Sequence, residues 1–193
     1  MADKLKILAF AGSTRKDSYN KKLVRIAVEA ARRAGAEVTL VDLRDLAMPL
    51  YDGDLEASEG IPPNGKKFKE LMKSHQGFLI STPEYNRSIP GVLKNAIDWA
   101  SRKEGAEAPL VCFEGKCVAI ISASPGAYGA FLSLTAVQTI FSKLGSVVIP
   151  DSFSLPKAHE AFDSDGNLKD AKQLALVEEV ASSLVDYLKK LLA

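Results

Sequence analysis

Three short polar loops contain the residues whose types and spacing are suited to chemistry. The first, residues 12–20, reads G-S-T-R-K-D-S-Y-N and sets hydroxyls, a carboxamide and two cations between an apolar run and a helix-like segment. Free N–H groups at a helix N-terminus, together with hydroxyl donors and the guanidinium of Arg15, are suited to holding a phosphate. The alternative is a solvated turn in which Ser18 or Asn20 caps the helix.

The second and third loops are suited to a flat ligand. Residues 82–91 contain two prolines, which stiffen the backbone, and Tyr85, an aromatic side chain that can line a planar heterocycle. Residues 122–130 are rich in small side chains, which let a ligand approach backbone N–H groups closely. The alternatives are an aromatic residue that packs on its own domain and a tight strand-to-helix turn. Three such loops in one chain indicate a ligand site more strongly than any one of them.

The elements that position these loops alternate between short apolar runs and helical patterns. The runs are Lys6–Ala11, Glu37–Leu43, Gly77–Ser81, Cys117–Ser122 and Val147–Pro150. Helix-like segments occupy Lys21–Ala34, Lys66–His75, Gly91–Ser101, Leu132–Leu144 and Lys169–Leu192. This alternation predicts one α/β domain over residues 1–193, with an open, mostly parallel, doubly wound sheet of five strands and helices on both faces. Ligands of such sheets bind beyond the carboxyl ends of the strands, where the order reverses, and the three loops follow runs one, three and four.

Composition and missing motifs exclude several other functions. Lys and Arg total 25 against 24 Asp and Glu, and this balance argues against a nucleic-acid binder. Two cysteines and two histidines form no zinc-site spacing. The sequence has neither an apolar run of about 18 residues nor a signal-peptide pattern, so we expect a cytoplasmic protein without a membrane partner. Neither G-x-G-x-x-G nor G-x-x-x-x-G-K-[ST] follows the first run, which leaves Rossmann-type dinucleotide binding and P-loop chemistry unsupported.

Taken together, the three loops resemble those of the NADPH-dependent FMN reductase family, which includes chromate/quinone reductases and azoreductases. The first loop looks like the family's G-S-x-R-x-x-S-x-N phosphate loop. Residues 83–99, P-E-Y-N-R-S-I-P-G-V-L-K-N-A-I-D-W, resemble its most distinctive signature. Residues 124–130 resemble its S-P-G-x-x-G-G loop, with Ala130 where the second glycine is usual.

The resemblance implies a flavodoxin-like fold, with a sheet of strand order 2-1-3-4-5, that binds FMN and uses NADPH or NADH as hydride donor. By motif position, the residues implied to hold the FMN phosphate are Ser13, Arg15, Ser18 and Asn20. Those implied to contact the isoalloxazine and ribityl side are Pro83, Glu84, Tyr85 and Asn86. Those implied to approach the pyrimidine edge are Ser124 and Gly126. A homodimer or homotetramer is also implied, with helix Gly91–Ser101 and the loop before it in the contact surface.

The implied activity is hydride transfer from NAD(P)H to bound FMN and then to a small-molecule acceptor, with ping-pong kinetics. Quinones, azo compounds, free flavin and metal oxyanions such as chromate are the acceptor classes implied. No catalytic side chain or metal is expected, because the flavin itself performs the chemistry. The alternatives are a flavodoxin-type electron carrier and a nucleotide-binding signalling module. Cations at Arg15, Lys16 and Arg87 favour the reductase, since they stabilise a reduced, anionic flavin.

Overall fold

Five parallel strands form one sheet of order β2-β1-β3-β4-β5 in the computed structural model, which describes residues 4–192. The strands are β1 (Lys6–Ala11), β2 (Glu37–Asp42), β3 (Gly77–Thr82), β4 (Cys117–Ala123) and β5 (Val147–Leu155). The helices are α1 (Tyr19–Arg33), α2 (Gly53–Glu59), α3 (Pro63–Ser74), α4 (Gly91–Ala100), α5 (Phe131–Lys143), α6 (Ala158–Ala161) and α7 (Ala171–Leu191). The predicted α/β class and strand order are confirmed.

Two hydrophobic clusters cover the opposite faces of the sheet. Helices α1 and α7 pack on the face that carries Ala9 and Leu79, and α3, α4 and α5 pack on the face that carries Phe10 and Ile80. Successive strand residues point to opposite faces, so a strand covered on both sides is apolar at nearly every position. This burial explains the continuous apolar runs of β1, β3 and β4, and it holds their carboxyl ends at a fixed edge.

The fifth strand is longer than the sequence pattern indicates. It continues past Pro150 to Leu155, because its pairing with β4 shifts between Val118 and Ile120 and then resumes. Proline has no N–H to donate to a ladder and is confined to edge strands or irregularities, and β5 offers both. The added residues carry the strand up to the loop that follows β4.

Two local features of the chain between β2 and β4 become clear only in the structure. Residues 48–65, which carry neither an apolar run nor a helical pattern, contain α2, whose first turn is capped by the Asp52 carboxylate accepting the N–H of Asp54 at 2.8 Å. Every residue of α2 is at least partly exposed, which is why no apolar periodicity marks it. Trp99, on α4, is fully buried, and its indole Nε1 donates to the Pro49 carbonyl at 2.8 Å.

Candidate functional site

The loops after β1, β3 and β4 meet at the carboxyl edge of the sheet, where the strand order reverses. The N–H of Gly12 donates to the Ser81 carbonyl at 2.8 Å, which fixes the start of the first loop beside β3. A cleft between the three loops is lined by Ser13, Arg15, Ser18, Tyr19, Asn20, Pro83, Glu84, Tyr85, Ala123, Ser124 and Pro125. The structure therefore brings together the predicted site residues except Asn86 and Gly126, which lie just outside the lining. Tyr19, Ala123 and Pro125 belong to the same loops and were not singled out from sequence.

The first loop presents an uncompensated helix N-terminus to the cleft. Ser18 occupies the N-cap position of α1 and is 4% exposed, yet within residues 4–192 its hydroxyl makes no capping hydrogen bond. The Ser13 hydroxyl is buried beside it and accepts the N–H of Arg15 at 3.3 Å. Helix N–H groups, two hydroxyls and the exposed guanidinium of Arg15 form a donor set that fits a phosphate.

Asn20 joins the first loop to both neighbouring strands. Its side chain is 2% exposed, and its Oδ1 accepts the Ser81 hydroxyl and the Ala123 N–H, both at 2.9 Å. Its Nδ2 donates to the Ala123 carbonyl at 2.9 Å. One carboxamide therefore ties α1 to the ends of β3 and β4, and it fixes the relative positions of the three loops.

The second loop is a tight hairpin anchored on α5. Tyr85 and Ser88 exchange backbone hydrogen bonds of 2.9 and 3.1 Å, and Asn86 and Arg87 between them have φ values of 52° and 66°. Two central residues with positive φ fit the turn type that closes short hairpins. Glu84 accepts the N–H of Leu132 at 3.0 Å, so its carboxylate is engaged at the N-terminus of α5. Tyr85 is left 49% exposed at the mouth of the cleft.

The third loop is held closely against β5. Gly129 has a φ of +60°, and a Cβ there would lie 2.7 Å from the backbone carbonyl carbons of Ser154 and Leu155. The Ser122 hydroxyl donates to the Gly129 carbonyl at 2.6 Å, and Ser124 accepts the N–H of Gly126 at 3.1 Å. Tyr128, 85% exposed, extends from this loop beyond the cleft.

The histidine and cysteine side chains of the buried core lie away from the cleft. His75 precedes β3 at the amino edge of the sheet, and burial lowers its pKa. Burial raises the pKa of the Cys112 and Cys117 thiols to about 11, which leaves them protonated at neutral pH. No cluster of three or more His, Cys, Asp or Glu suited to a metal ion occurs in the described part of the chain. Within residues 4–192, no helix is long and apolar enough to span a membrane.

The size of the cleft limits which part of a ligand it encloses. Its volume is about 70 Å³, whereas pockets that enclose a whole drug-sized ligand measure roughly 300–1,000 Å³. The cleft can therefore enclose only a small group, and Tyr85 stands exposed at its open mouth. A larger groove of about 520 Å³ runs along α1 and α7, where charged side chains of both signs line it.

Comparison with known proteins identifies the family. Residues 5–160 match the family model described as NADPH-dependent FMN reductase. The chain is 38% identical over 172 residues to a quinone reductase of Pseudomonas putida, covering 88% of each chain. It is 36% identical over 193 residues to an NAD(P)H-dependent FMN reductase of Pseudomonas aeruginosa, covering 99% of each. The solved structure of FerB, a flavoenzyme NAD(P)H:(acceptor) oxidoreductase of Paracoccus denitrificans, superposes with a TM-score of 0.80 at 32% identity, covering 96% of this chain and 98% of that one. The chain therefore belongs to the NADPH-dependent FMN reductase family, whose members are NAD(P)H-dependent flavoenzymes of flavodoxin-like fold.

Proposed function

We propose that this enzyme reduces small molecules of the quinone class with NAD(P)H, through FMN bound across the cleft. The observation that carries the proposal is the cleft itself, which joins an uncapped helix N-terminus and a guanidinium to an open mouth beside Tyr85. Relatives named as quinone reductases support the acceptor class. Azo compounds, free flavin and chromate are further acceptors that an open flavin face would admit.

Each loop has a separate task in the proposed site. Ser13, Arg15, Ser18 and Asn20 hold the FMN phosphate, and the Asn20 carboxamide also keeps the three loops in register. The residues proposed to line the isoalloxazine and ribityl side are Pro83, Glu84, Tyr85 and Asn86. Those proposed to lie at the pyrimidine edge are Ser124 and Gly126. Bound FMN supplies the acceptance and release of hydride, so the chain's own contribution is orientation and electrostatic stabilisation.

The open mouth also bears on the order of binding. Tyr85 is 49% exposed at the mouth of the cleft, so the three loops leave this side of the cleft uncovered. One shared face implies that NAD(P)H and the acceptor bind in turn. Initial rates measured against a benzoquinone at several NADPH concentrations are expected to give parallel double-reciprocal lines, whereas intersecting lines would contradict the shared face.

The proposed activity predicts a spectroscopic result. Purified protein is supplied with FMN, freed of excess, and its anaerobic visible spectrum is recorded before and after one equivalent of NADPH. We expect a retained flavin spectrum that bleaches on addition of NADPH and returns on addition of a quinone. A retained flavin that stays oxidised would support a flavodoxin-type electron carrier instead. Absence of retained flavin would contradict a tightly bound cofactor.

We also propose that the enzyme is a homodimer or homotetramer. Support comes from large apolar side chains left exposed on the third loop and the first turn of α5, which are Tyr128, Phe131 and Leu132. Helix α4, proposed for the contact surface, presents the exposed Lys94, which pairs with Asp98 at 2.7 Å on the same helix. Light scattering of the purified protein would measure the assembly. The cytoplasmic location remains a prediction.

A further inference from the structure

Arg44 contacts the first loop from outside the sequence motif that defines it. It lies on the exposed turn that follows β2, 30 residues along the chain from Thr14, and its Nε donates to the Thr14 carbonyl at 2.9 Å. Thr14 itself is an exposed position in the first loop. The contact therefore joins the β2 turn to the backbone of the loop that faces the cleft.

The hydrogen bond from Arg44 to the Thr14 carbonyl determines the direction in which the Arg15 N–H points. The carbonyl of Thr14 and the N–H of Arg15 belong to one peptide unit, and in a trans peptide they point in opposite directions. Holding the carbonyl outward on Arg44 turns the Arg15 N–H inward, where it meets the Ser13 hydroxyl at 3.3 Å in the cleft lining. A loop that binds an anion through N–H groups needs outward donors for its carbonyls, and Arg44 supplies a charge-assisted one.

Asp42 connects the backbone of Arg44 to Lys21 on helix α1. Its N–H donates to Asp42 Oδ1 at 3.0 Å, and Asp42 Oδ2 accepts Lys21 Nζ at 2.6 Å. Although partial burial opposes it, hydrogen bonds from Lys21 and from the Arg44 N–H lower the pKa of Asp42, so this carboxylate is ionised at neutral pH. The Lys21 side chain is 11% exposed on the first turn of α1. The resulting network of Lys21, Asp42, Arg44 and Thr14 braces the loop between α1 and β2.

We infer that Arg44 is a positioning residue for phosphate binding, which acts by orienting the peptide between Thr14 and Arg15. The inference rests on the proposed function, because it assigns the FMN phosphate to this loop. The terminal guanidinium nitrogens of Arg44 have no hydrogen-bond partner in the part of the chain that the structure describes. Its charge therefore also adds to the favourable field for an anion, and the test must separate orientation from charge.

The test compares two substitutions at Arg44. In R44Q the Nε2 of glutamine stands at the position of the arginine Nε and keeps the donor without the charge, whereas R44A removes both. Affinities for FMN and for riboflavin, which lacks the phosphate, are measured by flavin fluorescence titration. We expect R44A to weaken FMN binding about tenfold, the size of a charge-assisted hydrogen bond, and to change riboflavin binding less than about twofold. R44Q is expected to recover most of the loss.

The matched control is R25A, which removes an exposed arginine from α1. It is expected to change FMN affinity less than about twofold, as a weakly interacting surface charge does. Inorganic phosphate, added as a competitor of FMN, is expected to bind R44A about tenfold more weakly than the unaltered protein, which gives a readout independent of riboflavin.

Three results would overturn the inference while leaving the proposed function intact. These are FMN binding by R44A that matches R25A, equal losses of FMN and riboflavin, and an R44Q variant as weak as R44A, which would assign the effect to charge alone. If the unaltered protein does not bind FMN, the proposed function fails and the inference fails with it.

Discussion

Replacing Asn20 with alanine is expected to lower the free energy of unfolding by about 3 kcal/mol, because several buried polar groups lose their partners at once. The Ser81 hydroxyl, the Ala123 N–H and the Ala123 carbonyl each bond to the Asn20 carboxamide, and all three residues are buried. The same change lets the loops after β1, β3 and β4 move apart. We therefore also expect FMN binding to weaken by more than about tenfold, because the three loops no longer hold their binding groups in fixed positions.

Urea unfolding of the variants measures the first effect, and N64A is the matched control. Asn64 makes one exposed hydrogen bond, to the Ala47 carbonyl, so its loss is expected to cost less than about 1 kcal/mol. The double variant N20A/S81A is expected to be little less stable than N20A alone, because Ser81 has already lost its partner. If N20A is as stable as N64A, the carboxamide does not hold the loops together. If only FMN and not riboflavin binding weakens, Asn20 acts at the phosphate alone.

Most of the fold can be predicted from short local patterns in the sequence. The strands β1, β3 and β4 lie between helices on both faces, and this burial requires unbroken apolar runs that are visible without a structure. The sequence pattern gives less information about the edge strand β5 and about helix α2. Pairing of β5 beyond Pro150 depends on a shift in register against β4, and α2 depends on a single cap at Asp52.

In the candidate site too, local sequence patterns predict some features, whereas contacts between distant residues require the structure. The site residues cluster in loops whose placement follows from strand order, so the sequence could indicate a candidate phosphate loop from the residue types at Ser13, Arg15 and Ser18 together with their position after β1. The supporting contacts join residues far apart in sequence. Asn20 reaches Ala123 across 103 residues, Glu84 reaches Leu132 across 48, and Arg44 reaches Thr14 across 30. No local pattern marks such pairs, which is why the roles of Arg44 and of the Glu84 carboxylate emerge only from the fold.

Replacing Gly129 with alanine is expected to lower the free energy of unfolding by roughly 3 kcal/mol and to displace the third loop from the cleft. Two costs combine at this position. The residue has a left-handed φ of +60°, and the new Cβ would lie 2.7 Å from the backbone carbons of Ser154 and Leu155. Backbone atoms of a paired strand cannot give way as a flexible side chain would, so either β5 or the loop must move. Thermal and urea unfolding measure the cost, and FMN titration measures the displacement.

The next residue, Ala130, provides a control in which alanine is replaced by glycine. Ala130 also has a left-handed backbone, with φ 70° and ψ 35°. In A130G the relief of about 1 kcal/mol of left-handed strain offsets the added chain entropy and the lost methyl burial, so stability is expected to change by less than about 0.5 kcal/mol. FMN affinity is likewise expected to be unchanged, because the loop backbone is already in the conformation that glycine favours. A stable G129A protein that binds FMN normally would show that the loop is free to move away from β5. A destabilised A130G protein would instead show that the Ala130 methyl contributes more to packing than its left-handed backbone costs.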